Sequence, residues 1–289
     1  HVQVSIGSAS TYTEADGSFL LAGAPLGRQT LFVDGRPADD ATRHYGQFEV
    51  GVTVDGSGSE LPYTLYLPRI LERDRIQLPS PTTYDMVVTH PDMPGLEVNI
   101  PAGTVIRDRQ GKIVTELAIV PTPADRAPYP VPVNFAVYFS LQPGGASVQN
   151  VRSDQPQGIT LTYPNYGHVP AGQRASFIAY TPDDGWRAYG AGTVTPDGSQ
   201  LKAEAGVRLT TLTSGSWDMD NRHPGDKDPA KPDGACCGDP VDLLSGTLGE
   251  SVAAVVLPDV MPVSATRTLH SIAPSAPKDP NSFQASRAF

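Results

Sequence analysis

Carboxylates gather around a glycine in the stretch between Trp217 and Gly234, and this is where the sequence could bind a cation. Calcium is the metal to expect there, because it prefers loops that supply many oxygen ligands. The spacing differs from that of an EF-hand loop, and the glutamate that closes such a loop is missing. A solvated acidic linker is therefore the alternative to a calcium site. The candidate ligands are Asp218, Asp220, Asp226 and Asp228.

Histidines are the other residues with obvious chemical use, but they are scattered along the sequence. None forms an HExxH motif or a His-x-His pair, and the chain has no GxSxG elbow, P-loop or GxGxxG motif that opens a helix. His90 and His223 each precede a proline, so we expect them in turns that face solvent. We therefore expect no catalytic residue, no cofactor and no enzymatic activity in this segment. The six histidines are His1, His44, His90, His168, His223 and His270.

The chain is acidic, with a formal net charge of -10 and an isoelectric point of about 5.0. Such a surface repels nucleic acid and anionic lipid, so direct binding of either is not expected. The sequence has no apolar run of the ~18 residues that a membrane-spanning helix needs. Its two cysteines, Cys236 and Cys237, are adjacent, which excludes both the spaced CxxC pairs of a zinc site and a disulfide-built scaffold.

Glycine and proline, with 28 and 29 residues, punctuate the whole chain. They separate short runs of alternating apolar residues, a pattern typical of an all-β protein with many turns. Long helical periodicity is absent, because proline recurs too often to permit it. The first alternating run, Val2 to Ile6, follows His1 directly and no methionine precedes it. We therefore expect the chain to be a piece of a longer protein.

Residues 1–36 contain three strand-like runs, with a turn at Asp16-Gly17. From Thr13 the pattern is T-x-x-D-G-x-F-x-L-x-x-x-P-x-G-x-x-x-L-x-V, which resembles the carboxypeptidase regulatory-like (transthyretin-like) fold. The resemblance implies a passive β-sandwich spacer whose usual first strand would lie before His1, with carbohydrate or protein binding as the alternative. Residues 37–80 continue in β style and predict a connecting segment.

Residues 81–214 hold the richest β pattern. The strings IPAGT, YFSLQPGG, TYPN, PAGQR and GTVTPDG occur one after another in this order. They resemble the ZU-type β-sandwich of ankyrins and netrin receptors. We interpret Trp186, Tyr180 and Tyr189 as core and corner aromatics, with a ligand platform as the alternative.

The same resemblance raises the question of self-cleavage between Phe139 and Ser140, which some eukaryotic ZU-type domains perform through the serine hydroxyl. That chemistry needs a strained peptide and a nearby base. Here the bond is followed by Leu141-Gln142-Pro143-Gly144-Gly145, which is typical of a strand that runs into a turn, and no histidine closely precedes it. We expect an ordinary strand.

Residues 215–235 are charged, rich in proline and without apolar periodicity, which predicts a linker. After it, residues 238–246 read GDPVDLLSG and residues 265–271 read ATRTLHS. In this order the two motifs resemble the first turn and first strand of the β-shell in RHS-repeat (YD-repeat) proteins, which include bacterial polymorphic toxins and are related to the teneurins. We expect residues 236–289 to begin such a shell. The family-motif residues are Gly238, Asp239, Pro240, Val241, Asp242 and Gly246.

Together these resemblances imply an all-β chain: two or more β-sandwich modules, a linker and the first strands of an RHS-repeat shell. They imply a non-enzymatic arm, or a cap or plug, of a secreted or surface-exposed bacterial toxin whose shell encloses a C-terminal toxic domain. The expected partners are the downstream shell of the same polypeptide and a secretion-apparatus or target-cell surface protein. The alternative is a cell-surface adhesion module of a teneurin-like protein.

Overall fold

The computed structural model describes residues 1–219, except for 57, 62, 124–125, 130, 132–134 and 136, and the backbone of three later strands within 241–270. It is all-β, as the turn-rich pattern predicts, with 47% of residues in strands and 3% in helices. The chain divides into two compact units, His1–Gly225 and Asp226–Phe289. In the described part of the chain, no helix has the length and apolar character needed to cross a membrane.

The described strands are short and are numbered here in chain order. The first group is β1 (Gln3–Ile6), β2 (Ala9–Tyr12), β3 (Gly27–Asp34), β4 (His44–Tyr45), β5 (Gln47–Val54), β6 (Arg69–Ile70), β7 (Arg75–Gln77), β8 (Met86–Thr89), β9 (Glu97–Ile100) and β10 (Thr104–Arg107). The second group is β11 (Ile113–Val114), β12 (Glu116–Pro121), β13 (Phe139–Gln142), β14 (Ser147–Asn150), β15 (Thr160–Pro164), β16 (Arg174–Thr181), β17 (Gly185–Val194), β18 (Gln200–Ala203) and β19 (Ser214–Asp218). The last group is β20 (Val241–Asp242), β21 (Thr247–Leu257) and β22 (Val263–His270). Short 3-10 helices occupy Arg36–Ala38 and Glu72–Asp74.

The first sheet has four strands in the order β2-β1-β3-β5. Its longest ladder joins β3 to β5 over eight residue pairs, from Gly27 opposite Val54 to Asp34 opposite Gln47. The division expected at residue 36 therefore lies inside this sheet, because β5 supplies one of its edges. A separate two-stranded sheet pairs β4 with β6.

The second of the three strand-like runs expected in residues 1–36 extends from Tyr12 to Leu21, and of these residues only Tyr12 belongs to a strand. The Asp16 carboxylate accepts hydrogen bonds from the backbone N–H and the hydroxyl of Ser18, at 2.9 and 2.7 Å. Such local side-chain bonds compete with a strand ladder and favour a turn. Gly17 has a φ of 88°, in agreement with the predicted Asp-Gly turn.

The main sheet has ten strands in the order β7-β12-β13-β19-β16-β17-β18-β15-β9-β8 and curls into a nearly closed barrel. Its central hairpin, β16-β17, pairs over eight positions with a bulge between Phe177 and Ile178. The inner side of the curl holds an apolar core. The largest fully buried side chains of this core include Phe139, Tyr163, Phe177, Leu117, Ile119, Leu141 and Leu161.

The run from Leu96 to Val105, which is part of the β pattern predicted for residues 81–214, is divided between two sheets. β9 belongs to the ten-stranded sheet, whereas β10 belongs to a three-stranded sheet in the order β11-β10-β14. The chain changes sheets at Gly103, whose φ of 84° favours glycine and where a Cβ would come within 2.7 Å of the Asn150 side chain. An alternating pattern cannot show this division, because it is continuous across the turn.

The second compact unit contains a three-stranded sheet in the order β20-β21-β22. β20 consists of Val241 and Asp242, which lie opposite Leu248 and Thr247. The expected first shell strand after the motif overlaps β22, which pairs with β21 in antiparallel register. The assignment of this unit to an RHS-repeat shell stays a prediction.

Candidate functional site

The four-stranded and ten-stranded sheets share a second apolar core within the first unit, and aromatic side chains dominate it. The rings of Tyr129 and Tyr180 are stacked, with centroids 3.8 Å apart and an interplanar angle of 4°. Trp186 meets both rings edge-on, at 5.9 and 5.8 Å. We call this cluster the aromatic joint; its members are Phe48, Tyr129, Tyr138, Tyr180 and Trp186.

The prediction that Trp186 and Tyr180 are buried aromatics is confirmed, since they are 8% and 6% exposed. Tyr189 is half-buried, and its hydroxyl lies 3.0 Å from that of Tyr163. The sequence did not single out Tyr129, which lies in a proline-rich irregular segment without apolar periodicity. The isolated aromatic there was the only available signal.

The outer edge of β5 has no neighbouring strand in its own sheet, so its backbone groups there need other partners. Hydrogen bonds to the ten-stranded sheet supply some of them. The Gly51 N–H donates to the Tyr180 hydroxyl at 3.0 Å, and the Gln47 N–H donates to Gln142 Oε1 at 2.8 Å. The Arg28 guanidinium donates to the Pro182 carbonyl at 2.7 Å. The edge strand β5 is thereby fixed to strands β13 and β16 of the other sheet, and β3 is fixed to the loop after β16.

Glycine is required where this edge meets the barrel. A Cβ on Gly51 would lie 1.9 Å from the Pro182 carbonyl oxygen, and one on Gly144 would lie 2.2 Å from the Gln47 carbonyl oxygen. Both contacts are with backbone, which cannot rotate away as a side chain can. The close approach of the two sheets therefore depends on these two residues.

Buried tyrosine hydroxyls line the joint. Tyr129 donates to Ser214 Oγ, whereas the Tyr138 hydroxyl has no hydrogen-bond partner among the described residues. Burial raises the pKa of both phenols far above the ordinary value, because the charged phenolate would lose its hydration. These groups therefore stay neutral at physiological pH and do not serve as bases.

A cavity of about 380 Å³ opens beside the joint, between β5, β13 and the segment from Arg208 to Ser214. Glu49 lines it, and burial raises the pKa of its carboxyl, although Arg109 at 3.8 Å opposes the shift. Arg187, also in the lining, pairs with Asp184 at 2.9 Å. The cavity combines charged groups of both signs with aromatic and aliphatic surface, so it offers both ionic and apolar contacts to a ligand or a polypeptide.

Phe139 and Ser140 lie in β13, an interior strand of the ten-stranded sheet, and the expectation of an ordinary strand is confirmed. Both residues pair with β12 on one side and β19 on the other. Ser140 is 1% exposed, and its Oγ contacts Gln142 Nε2 at 3.5 Å. An amide nitrogen cannot take the serine proton, so this contact does not activate the hydroxyl.

The proposed calcium ligands fall mostly outside the described residues. Asp218 is the last residue of β19, opposite Ser176. Asp220, Asp226 and Asp228 lie outside, as do Gly238, Asp239, Pro240 and Gly246 of the family motif and the neighbouring His223. Where the structure describes side chains, it contains no group of three or more His, Cys, Asp or Glu residues that could hold a metal ion.

The prediction that His90 faces solvent is wrong. The residue is 2% exposed, and its Nε2 lies 2.9 Å from Oδ1 of Asp74, itself 2% exposed. His90 directly follows the last residue of β8, so a turn does begin at this His-Pro pair. The turn packs over the buried carboxylate of Asp74, and this contact buries the imidazole. The Asp74–His90 pair could not be predicted from the sequence, because no spacing rule links two polar residues across an irregular loop.

No protein-family model matches the chain, and it has no significant match among the curated proteins or the solved structures. The features that bear on function are therefore geometric: an aromatic joint between two sheets, a cavity beside it that carries charged groups, and a separate β unit that contains Val241 and Asp242 of the family motif.

Proposed function

We propose that residues 1–235 form a non-enzymatic structural arm, or a cap or plug, of a large secreted RHS-repeat toxin, and that residues 236–289 begin its β-shell. In this proposal the shell encloses a C-terminal toxic domain beyond Phe289. The proposal starts from the order of the motifs GDPVDLLSG and ATRTLHS, which come directly after a charged linker.

The observation that carries the arm function is the aromatic joint. Domains within one chain usually move relative to one another unless their interface is large and apolar. Here twelve buried residues, among them Phe48, Tyr180 and Trp186, form one core that both sheets share. A cap that holds a fixed position on a shell, or an arm that extends from it in a fixed direction, needs its two sheets to be joined in this way.

The acidic composition agrees with a role outside the cell. A net charge of -10 keeps a large surface soluble and disfavours contact with nucleic acid. The partners in this proposal are the downstream shell and a protein of the secretion apparatus or the target-cell surface.

A cell-surface adhesion module of a teneurin-like protein is the second candidate, and the cavity beside the joint, with Glu49 and Arg187 in its lining, favours it. Such a cavity offers a contact site for a partner that a plain spacer would not need. The two candidates differ in the region after the last repeat, because only the toxin has a separate toxic domain there.

Deleting residues 1–225 from the native protein tests the arm. We expect the toxic activity of the C-terminal domain, measured after its release by denaturation and refolding, to be unchanged. Delivery into susceptible cells should fall at least tenfold. The control is Tyr84→Ala, which alters a side chain that is 61% exposed and should leave delivery unchanged.

Two results would overturn the proposal. One is delivery that persists at the native level without residues 1–225. The other is a catalytic or toxic activity of the purified first unit, lost on a single substitution. Loss of toxic activity together with unchanged delivery would also contradict it, because the enzyme would then lie within the arm.

A further inference from the structure

The two edge strands of the curled ten-stranded sheet, β7 and β8, come together at a boundary that we call the seam. β7 and β8 stand at opposite ends of the sheet's strand order, and each pairs with one neighbour. β7 pairs with β12 at three positions, and β8 pairs with β9 at four. The described residues show no ladder between β7 and β8, so main-chain hydrogen bonds do not close the curl.

Side chains close the seam instead. Asp74 directly precedes β7 and His90 directly follows β8, and His90 Nε2 lies 2.9 Å from Asp74 Oδ1. The side chains of His90 and Asp74 are 0% and 3% exposed. A second pair, Arg73 with Asp92, joins the same two segments at 2.7 Å on the surface.

The hydrogen bonds around this pair indicate which tautomer the His90 imidazole adopts. The Asp92 N–H donates to His90 Nδ1 at 3.1 Å, so Nδ1 is an acceptor and the ring proton sits on Nε2. Nε2–H therefore donates to Asp74 Oδ1, while Asp74 Oδ2 accepts the Leu71 N–H at 2.7 Å. Both ring nitrogens and both carboxylate oxygens have partners, as a buried polar network requires.

We propose that the Asp74–His90 pair is a latch that holds the β7/β8 seam shut, and that the seam is where the first unit opens locally. β7 and β8 are held by short ladders on one side only, whereas β16 has ladders on both sides, eight pairs long with β17. Short, singly paired edges open at lower free energy than a doubly paired centre. The latch therefore sets how often the barrel opens without unfolding.

Hydrogen exchange of the whole 289-residue chain, read by mass spectrometry, tests the latch. His90→Ala and Asp74→Ala are each expected to speed amide exchange in β7 and β8 at least tenfold and to leave β16 and β17 unchanged. The matched control is Asp34→Ala, because Asp34 is also a buried carboxylate but bonds Arg36 and Gln47 near the first sheet. It should leave β7 and β8 at the native rate.

The double variant Asp74→Ala/His90→Ala separates a latch from two independent contacts. If the residues act as one pair, exchange in β8 will be no faster than in the single variants. If the increases in exchange rate of the two single variants multiply in the double variant, the two residues act independently, and the proposal is overturned. So would single variants in which β7 and β8 exchange at the native rate, or in which the whole sheet exchanges evenly faster.

The outer pair provides a milder variant should the buried substitutions prevent folding. Arg73 is 55% exposed on its side chain, so Arg73→Ala removes only the surface contact with Asp92. A smaller rise in exchange confined to β7 and β8 would support the latch. A rise in exchange elsewhere in the sheet, with β7 and β8 at the native rate, would contradict it.

Discussion

Trp186 lies at the centre of the aromatic joint and meets four rings edge-on, with centroid distances from 4.8 to 5.9 Å. Edge-to-face contacts of this kind add to the stabilisation that burial of an aromatic side chain provides. The ring packs in the core that both sheets share, so its removal affects the connection between them as well as the stability of each. The partner rings are those of Tyr129, Phe135, Tyr138 and Tyr180.

Trp186→Ala is expected to lower the free energy of unfolding of the first unit by about 3–5 kcal/mol, because it leaves a cavity in a packed core. Denaturant titration followed by circular dichroism measures the change. Tyr84→Ala is the control; this side chain is 61% exposed, and its loss should change stability by less than about 0.5 kcal/mol. A Trp186→Ala variant as stable as the control would mean that the joint does not hold the sheets together.

At the residue scale, only some of the important contacts could be predicted from the sequence. Trp186 and Tyr180 stand in clear strand patterns, so their burial could be predicted. The Asp74–His90 bond could not, since it depends on two segments that meet only when the sheet curls. His90 illustrates the reason: exposure inferred from a neighbouring proline fails when tertiary contacts cover the turn.

The docked edge of β5 is the element on which the geometry of the joint depends. Its backbone approaches the loop after β16 so closely that Gly51 has no room for a Cβ. The bond from the Gly51 N–H to the Tyr180 hydroxyl requires the same close approach. This strand therefore tolerates little change on the side that faces the barrel.

Gly51→Ala is expected to destabilise the first unit by about 1–3 kcal/mol, because the new methyl group would push β5 away from Pro182. Thermal unfolding of matched variants measures it. The control is Gly56→Ala, where no atom lies within 4 Å of the added Cβ and the change should be within about 0.5 kcal/mol. Equal melting temperatures for the two variants would show that the edge of β5 is not docked in solution.

Strand positions can be predicted from local pattern, whereas strand partners cannot. β5 falls within an alternating run, with Phe48, Val50, Val52 and Val54 at every second position, that predicts a strand plainly. The pairing of β13 with β19 brings Phe139 opposite Gly215, and nothing in either segment specifies the other. The turn at Gly103, which sends β9 and β10 to different sheets, interrupts no pattern and was missed for that reason.

The first unit keeps several of its tyrosines from ionising at their ordinary pKa. Burial raises the pKa of Tyr63 to about 12 and raises those of Tyr129, Tyr138, Tyr163 and Tyr189 further. In the unfolded chain these phenols ionise near their ordinary value of 10.0. The stability that these neutral phenols contribute is therefore fully present below about pH 10 and is lost as the pH rises above that value.

An alkaline titration followed by phenolate absorbance checks this. Exposed tyrosines should ionise reversibly near pH 10, and the buried ones should ionise only in a cooperative step that coincides with loss of the β circular dichroism signal. Reversible ionisation of all eleven tyrosines near pH 10 in the folded protein would contradict the buried positions.

A rigid arm or cap of a larger shell-forming protein is the role we propose for the first unit. A cryo-electron microscopy map of the native full-length protein tests that role most directly. We predict a hollow β-shell that begins with residues 236–289, density enclosed within it, and residues 1–225 as one rigid body that packs on an open end or extends from it. A map without a shell, or with the two sheets of residues 1–225 in variable orientations, would contradict this role.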